Sequence, residues 1–284
     1  KDSASGEEVY FPAGCEQADL DSALRYTAKN RDVFVCSYPK TGTTWLLNMT
    51  WLVIHRGHPF PGFLRKSMPM LEFDGCEAAE LIDDSEFPRC IKTHLPYNFV
   101  PKNPRAKYLY IARNPKDALV SYFFHIKGFA SLYQTEDPDI NKLYDLYMKG
   151  EVEFNSYFDH INIWYEHRND PNVMFLLYED VKQDPRKEIL KIAKFLGEEY
   201  ESDLKAENGK LLEKIVELSS FKHMQSANIW VSTENKRPKD LPFIRKGKTG
   251  DWKNHLTTRQ ASDMNQALKE RCNESGACHL WDKY

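Results

Sequence analysis

The sequence predicts an α/β fold, a single domain with a central parallel sheet flanked by helices. Three observations carry that expectation. Four short apolar runs, rich in β-branched and aromatic residues and without clean alternation, read as strands buried on both faces. Segments with helical features lie between them. The 284 residues contain no internal repeat and no long linker, so one large domain over 1–284 suits the length better than two.

The first strand reads as Val33-Phe-Val-Cys36 and the second as Arg89-Cys-Ile-Lys-Thr93. Lys107-Tyr-Leu-Tyr-Ile-Ala112 and Val173-Met-Phe-Leu-Leu-Tyr178 supply the third and fourth. Leu46 to Ile54, close behind the first strand, is apolar and of helical length. Asn114-Pro115 opens a later helix, because Asn is a good N-cap and Pro suits the first helical position. Asp184-Pro185 opens another, with apolar residues at helical spacing from Lys187 to Leu196 before Gly197. Charge is uneven along the chain. Residues 1–22 hold one Lys and six acids, a net of −5, and 1–30 is expected to form an acidic N-terminal extension. Residues 236–248 hold six basic residues and one acid, a net of +5. With Pro238, Pro242, Gly247 and Gly250 this stretch reads as a loop, either a solvated face or a segment that closes over an anion.

Hydrophobic residues make up 41% of the chain and charged residues 29%, which supports a real core and excludes a disordered or low-complexity chain. The formal charge of −3 predicts neither nucleic acid nor an anionic membrane as a partner. No window reaches the ~18 apolar residues of a membrane span. The best candidate, Trp45 to Ile54, carries Asn48 and Thr50. Lys1 to Leu20 lacks the apolar region of a signal peptide, so a cytoplasmic location is expected. The six cysteines, at 15, 36, 76, 90, 272 and 278, form no Cys-x-x-Cys and read as free thiols in a reducing compartment. Asn48-Met-Thr50 and Asn273-Glu-Ser275 match the glycosylation triplet, which is common by chance.

The most informative stretch is Tyr38-Pro-Lys-Thr-Gly-Thr-Thr-Trp45, between the first strand and the apolar segment. A strand, a tight turn and a helix N-terminus make an anion cradle of unpaired N–H groups reinforced by the helix dipole. Gly42 lets the backbone approach closely, Thr41, Thr43 and Thr44 add hydroxyls, and Lys40 adds a charge. Here the Lys precedes the only Gly, so this is not a Walker A loop. Arg113-Asn-Pro-Lys-Asp117 follows the third strand, where open α/β sheets bind ligands, and Arg113 can grip a phosphate with two hydrogen bonds. Ser121 lies about two turns into the following helix and can reach the same group. Lys92-Thr-His94-Leu-Pro96 ends the second strand. Like-charge repulsion from Lys92 lowers the basicity of His94, so a neutral imidazole is available as a base. No pair among the nine His residues has a spacing that suggests a metal site.

These motifs resemble those of the cytosolic sulfotransferases, which use 3′-phosphoadenosine 5′-phosphosulfate (PAPS). The resemblance rests on Tyr38 to Trp45, Lys92 to Pro96, Arg113 to Asp117 with Ser121, Tyr178-Glu-Asp180, Ser220-Phe221 with Met224, and Arg245-Lys-Gly247 with Gly250-Asp-Trp252, all in the family's order. It implies a P-loop-like strand-loop-helix in which Lys40, Thr41, Gly42, Thr43, Thr44 and Trp45 bind the 5′-phosphosulfate, with Trp45 stacking on adenine. It implies that Arg113 and Ser121 hold the 3′-phosphate, joined by Arg245, Lys246 and Gly247 from a basic loop at 233–252 that closes over the nucleotide, with Phe243 beside it. Tyr178, Ser219, Phe221 and Met224 are implied as the adenine pocket. His94 is implied as the general base, with Lys40, Lys92 and Ser121 completing the catalytic set. Lys92, Thr93, His94 and Phe73 are implied at the acceptor. The product is the 3′,5′-bisphosphate PAP, and no metal is expected because the sulfuryl group carries less charge than a γ-phosphoryl. The implied partner is a small-molecule acceptor, whose hydroxyl or amine takes the sulfuryl group. A homodimer is implied by only part of the family's dimer motif: Lys253 and Thr257 fit, while Thr258 and Ser262 depart.

Aromatic residues flanking the acceptor region (Phe60, Phe63, Phe73, Phe123, Phe124 and Phe129) suit a flat phenol, including phenol- or catechol-type monoamines, better than a steroid. Two other readings compete. An ATP-dependent kinase needs a Mg²⁺-binding acid after a strand, for which Asp180 is the candidate. A catalytically silent nucleotide-binding protein binds PAP without turning over an acceptor.

Overall fold

The computed structural model describes residues 9–12, 14–62, 64–84, 86–227, 237–238 and 240–284. Residues 1–8 of the acidic stretch, Phe63, and 233–236 and 239 of the basic loop lie outside the described residues. Four strands, β1 (Val33–Cys36), β2 (Cys90–Thr93), β3 (Lys107–Ala112) and β4 (Val173–Leu177), form one sheet in the order β2-β1-β3-β4. Every pairing is parallel, with Cys36 opposite both Thr93 and Tyr110. The expected strands therefore form, with small shifts at the ends. Tyr178 turns into a helix, and Arg89 contributes only its carbonyl, which accepts from Val33 N–H at 2.8 Å.

The helices, in chain order, are α1 (Gln17–Arg25), α2 (Thr43–Ile54), α3 (Leu64–Ser67), α4 (Leu71–Glu80), α5 (Pro115–Gly128), α6 (Ile140–Lys149), α7 (Tyr157–Glu166), α8 (Tyr178–Gln183), α9 (Pro185–Leu196), α10 (Glu198–Lys205), α11 (Lys210–Leu218), α12 (Phe221–Ala227) and α13 (Thr258–Cys272). They cover both sheet faces, which explains the lack of alternation in the strands. Within β1, Phe34 and Cys36 enter the core layer shared with α5, α7 and α13. Val33 and Val35 enter the opposite layer, with α2, α9 and α11. Helix α2 has nine buried residues out of twelve, so it is apolar nearly all round. Asn48 and Thr50 are buried inside it. The two Asx-Pro starts behave as expected: Asn114 accepts from Lys116 N–H and Asp184 from Lys187 N–H. All six cysteines are free.

Of the 1–30 stretch, the described part packs onto the domain. Helix α1 lies on α4, where Ser22 Oγ accepts from Cys76 N–H at 2.8 Å. Tyr10 exchanges hydrogen bonds with the 154–155 turn: Tyr10 N–H donates to Asn155 Oδ1 and Phe154 N–H to Tyr10 O. Among the described residues no helix is long and apolar enough to cross a membrane.

The chain runs from β1 to β2 on one side and returns to β3 on the other. The loops after β1 and β3 therefore part at the carboxyl edge, the place where open α/β sheets leave a crevice. The opposite edge is tied down by a buried pair. Arg89 Nε donates to Asp32 Oδ1 at 3.0 Å, while Asp32 Oδ2 accepts from Tyr26 Oη and Lys29 N–H. Replacing Asp32 with Ala leaves the buried guanidinium with only the exposed Asp84, 3.2 Å from Nη2, as an acidic partner, a change that costs about 3–5 kcal/mol. Urea unfolding of Asp32→Ala should show that loss at unchanged slope. A change below about 1 kcal/mol would show that the pair does not tie the edge.

Candidate active site

Four strand ends supply the site. After β1, the turn at Lys40 (φ 69°) and Gly42 (φ 116°) swings the chain into α2, leaving the Thr43 and Thr44 N–H groups at its start without a helical partner, while Trp45 N–H donates to Gly42 O at 3.0 Å. Gly42 is required twice over: its φ is left-handed, and a Cβ would come within 2.8 Å of the Tyr178 ring. The threonines split in role. Thr41 is fully buried, with its hydroxyl 2.8 Å from Tyr38 O and 2.9 Å from Ile111 O, so it braces the turn from within. Thr43 Oγ1 lies 2.5 Å from Ser37 Oγ. Thr44, in the first turn, is half-buried.

Trp45 donates through Nε1 to Ser219 O at 2.8 Å and meets Tyr178 edge-on at 5.2 Å between centroids. Tyr178, the first residue after β4, carries the Arg113 guanidinium on its face at 4.4 Å. Arg113 is 9% exposed; its Nη2 donates to Lys248 O at 2.9 Å, and its Nε is buried with no partner. Met224 is buried beside this group, and Phe221 packs against Gly247 so closely that a Cβ there would lie 2.5 Å from the ring. The residues expected at a nucleotide thus come together around the β1 and β3 ends.

The basic loop is irregular over 240–250, as expected, and is anchored by acids. Asp117 Oδ2 accepts from Gly250 N–H at 2.6 Å and Oδ1 from Trp252 N–H at 3.0 Å. Asp251 pairs with Arg245 at 2.7 Å and Lys246 at 2.9 Å. Arg245 also stacks on Phe124 at 4.1 Å, so both cations are already engaged within the loop. Lys40, Ser121, His125, Phe243 and Arg245 line one small cavity together with Arg237. Lys40 Nζ lies 4.9 Å from the Phe243 ring and 3.1 Å from His125 Nδ1. Burial, reinforced by Arg237, Lys92 and Arg113, pushes Lys40 down to about 7. Burial likewise brings Lys92 down to about 8, with Glu72 opposing.

His94 follows β2 and is held on three sides. Its N–H donates to Glu72 Oε1 at 2.5 Å, its carbonyl accepts from His160 Nε2 at 2.9 Å, and its Nδ1 lies 2.7 Å from Ser37 O. A carbonyl only accepts, so Nδ1 carries the proton and Nε2 keeps its lone pair. No described residue hydrogen-bonds Nε2. Burial lowers the basicity of His94 well below the usual range, with Lys92 the second cause rather than the first. Thr93 Oγ1 donates to the same Glu72 oxygen at 2.6 Å. Phe73, one residue on from Glu72, lies under the Arg65 guanidinium and beside Gly14.

Several site residues escaped the sequence reading. Glu72 and Glu153 belong to no phosphate-loop or strand-end pattern, Ser37 directly follows β1 without having been singled out, and Arg237 was counted only within the basic stretch 236–248. His125 did have a signal: it stands four residues after Ser121 on α5, hence on the same helical face. Asp180, the acid a kinase would need, is instead bonded to Lys283 and Tyr284.

Residues 30–276 match the model of the sulfotransferase domain. The amine sulfotransferase of Oryctolagus cuniculus is 34% identical, over 93% of this chain and 88% of its own. The 3-alpha-hydroxysteroid sulfotransferase of Cavia porcellus is 32% identical, over 93% and 92%. The crystal structure of mouse sulfotransferase SULT7A1 complexed with PAP superposes with a TM-score of 0.77 at 30% identity, covering 97% of each chain. Matched over nearly all its length by the family's model and by relatives of this identity, the chain belongs to the sulfotransferase family.

Proposed function

We propose that the protein transfers the sulfuryl group of PAPS to a phenolic hydroxyl of a small acceptor, with His94 as the general base. The observation that carries this reading is the fixed tautomer of His94, whose free Nε2 lone pair lies at the strand end next to Lys92 and Lys40. In the step, the acceptor oxygen bonds to sulfur as the bond from sulfur to the 5′-phosphate oxygen breaks. The acceptor proton passes to His94 Nε2, and the electron pair of the broken bond leaves on the phosphate. Lys40 and the N–H groups of Thr43 and Thr44 stabilise that leaving charge; Lys92 acts on the sulfuryl oxygens. Arg113, Ser121 and the basic loop hold the 3′-phosphate. The PAP in the mouse structure supports the same nucleotide here.

Glu153 favours phenolic monoamines among the acceptors. Its Oε2 accepts from Tyr133 Oη at 3.1 Å, and its field reaches Lys40, Tyr38 and Cys15. Phe154 also meets the His94 ring at 5.3 Å. A carboxylate so placed offers a counter-charge to an ammonium tail while the phenol faces His94. The similarity to an amine sulfotransferase points the same way.

Three outcomes follow. His94→Gln should lose about 10²–10⁴-fold in turnover with PAP affinity unchanged, measured by labelled-sulfate transfer and calorimetry. A variant that keeps most of its turnover would remove His94 from the role of base. Lys40 is ammonium below about 7 in the free protein, and a bound phosphate favours its charged form. PAP affinity should therefore fall as pH rises from about 7.5 to 9, with proton uptake on binding; a flat profile without uptake would contradict this. Glu153→Gln should raise KM for tyramine about 10-fold or more and leave 4-ethylphenol within about 2-fold. Equal effects on both would mean that Glu153 does not read acceptor charge.

A further inference from the structure

The transfer centre holds a second imidazole that its motifs do not include. His125 sits on α5 one turn after Ser121, and its Nδ1 is 3.1 Å from Lys40 Nζ. Below about 7, where Lys40 is an ammonium with donors only, Nδ1 of His125 accepts and its ring proton sits on Nε2. That is the reverse of His94, whose Nδ1 donates to a carbonyl. Two neutral imidazoles thus border the same group of cations with opposite tautomers, one offering a lone pair and the other an N–H. His125 is framed by aromatic rings, Phe129 at 4.8 Å, Tyr133 at 5.9 Å and Phe243 at 6.3 Å, and it lines the cavity it shares with Lys40, Ser121 and Arg245. No described residue bonds its Nε2.

We infer that His125 is a positioning residue of the sulfuryl-transfer centre: Nδ1 orients the Lys40 ammonium toward the leaving phosphate, and Nε2–H presents a neutral donor to an anionic oxygen of the bound donor molecule. His125 gains and loses no proton in the step, and the bond changes are those written above. Its neutrality follows from its surroundings, since burial and the charges of Lys40, Arg237 and Lys92 all oppose protonation, with His94 adding to them. Facing Lys40 are Arg237, Lys92 and Arg113, with Glu153 opposing them. A neutral acceptor in that company holds the ammonium without adding a further positive charge.

The inference rests on sulfuryl transfer but on neither the base nor the acceptor class proposed above. Its test uses three variants of the full chain. His125→Phe removes both nitrogens and suits the aromatic frame; His125→Asn restores an acceptor near Nδ1; His125→Gln restores a donor near Nε2. Each is assayed for transfer to 4-nitrophenol, for slow release of PAP from PAPS without acceptor, and for PAP affinity against pH, with thermal melting to certify folding. His125→Phe should lose about 10²-fold in transfer rate at near-constant KM for 4-nitrophenol. It should also begin losing PAP affinity at lower pH, because an acceptor that favours the Lys40 ammonium is gone. His125→Asn should restore the pH profile, and His125→Gln part of the rate. A folded His125→Phe with wild-type rate and profile, or amide variants no better than Phe, would overturn the inference. Absence of 4-nitrophenol turnover in the wild type, with PAP release and the pH shift intact, would strike the acceptor proposal alone.

Discussion

The structure depends on the gathering of cations at one edge of the sheet with few anions to balance them. Lys40, Lys92, Arg113 and Arg237 lie at or near the carboxyl ends of β1, β2 and β3, buried enough that Lys40 and Lys92 hold their protons weakly. Charges in such surroundings raise one another's free energy, and a polyanion relieves it. The fold holds this arrangement because its covered parallel sheet and the Asp32–Arg89 pair at the far edge leave the strand ends little freedom to spread. A sulfotransferase site is thus a place where the protein keeps strain of charge that its nucleotide discharges.

Acids serve the same end indirectly. Asp117 and Asp251 neutralise no part of the cradle. They instead fix the loop that carries Arg245 and Lys246 next to it. Glu179 works from below, accepting from Asn114 N–H at 2.9 Å and Trp281 Nε1 at 3.0 Å, and so sets the turn that presents Arg113. Glu72 holds Thr93 and His94 through a single oxygen, while its other oxygen is buried with no partner. Burial pushes this carboxyl up, so the group that aims His94 is itself poorly solvated.

Residues whose role depends on backbone geometry were legible in the sequence. The β1 turn, with a glycine just before a helix, and the Asn-Pro and Asp-Pro helix starts announce themselves because only a few residue types satisfy those conformations. The four strands were legible because burial on both faces demands unbroken apolar runs. Residues that act across the fold were not. His125 meets Lys40 over 85 positions, and Glu153 meets Tyr133 from a separate loop. Neither pairing has a local pattern; the first exists only once α5 is laid against the β1 turn. The packing of the described part of the 1–30 stretch was not legible for a related reason: net charge says nothing of the contact by which α1 buries Ser22 and Ala23 and packs on α4.

A crystal structure of the protein with PAP tests the central claim most directly. The account predicts the 5′-phosphate on the N–H groups of the Lys40–Trp45 turn, with Lys40 reaching it, and the 3′-phosphate on Arg113. It further predicts His94 Nε2 facing the position that sulfur would occupy. An empty turn, or a nucleotide bound with Arg113 still confined to the Lys248 carbonyl, would contradict it.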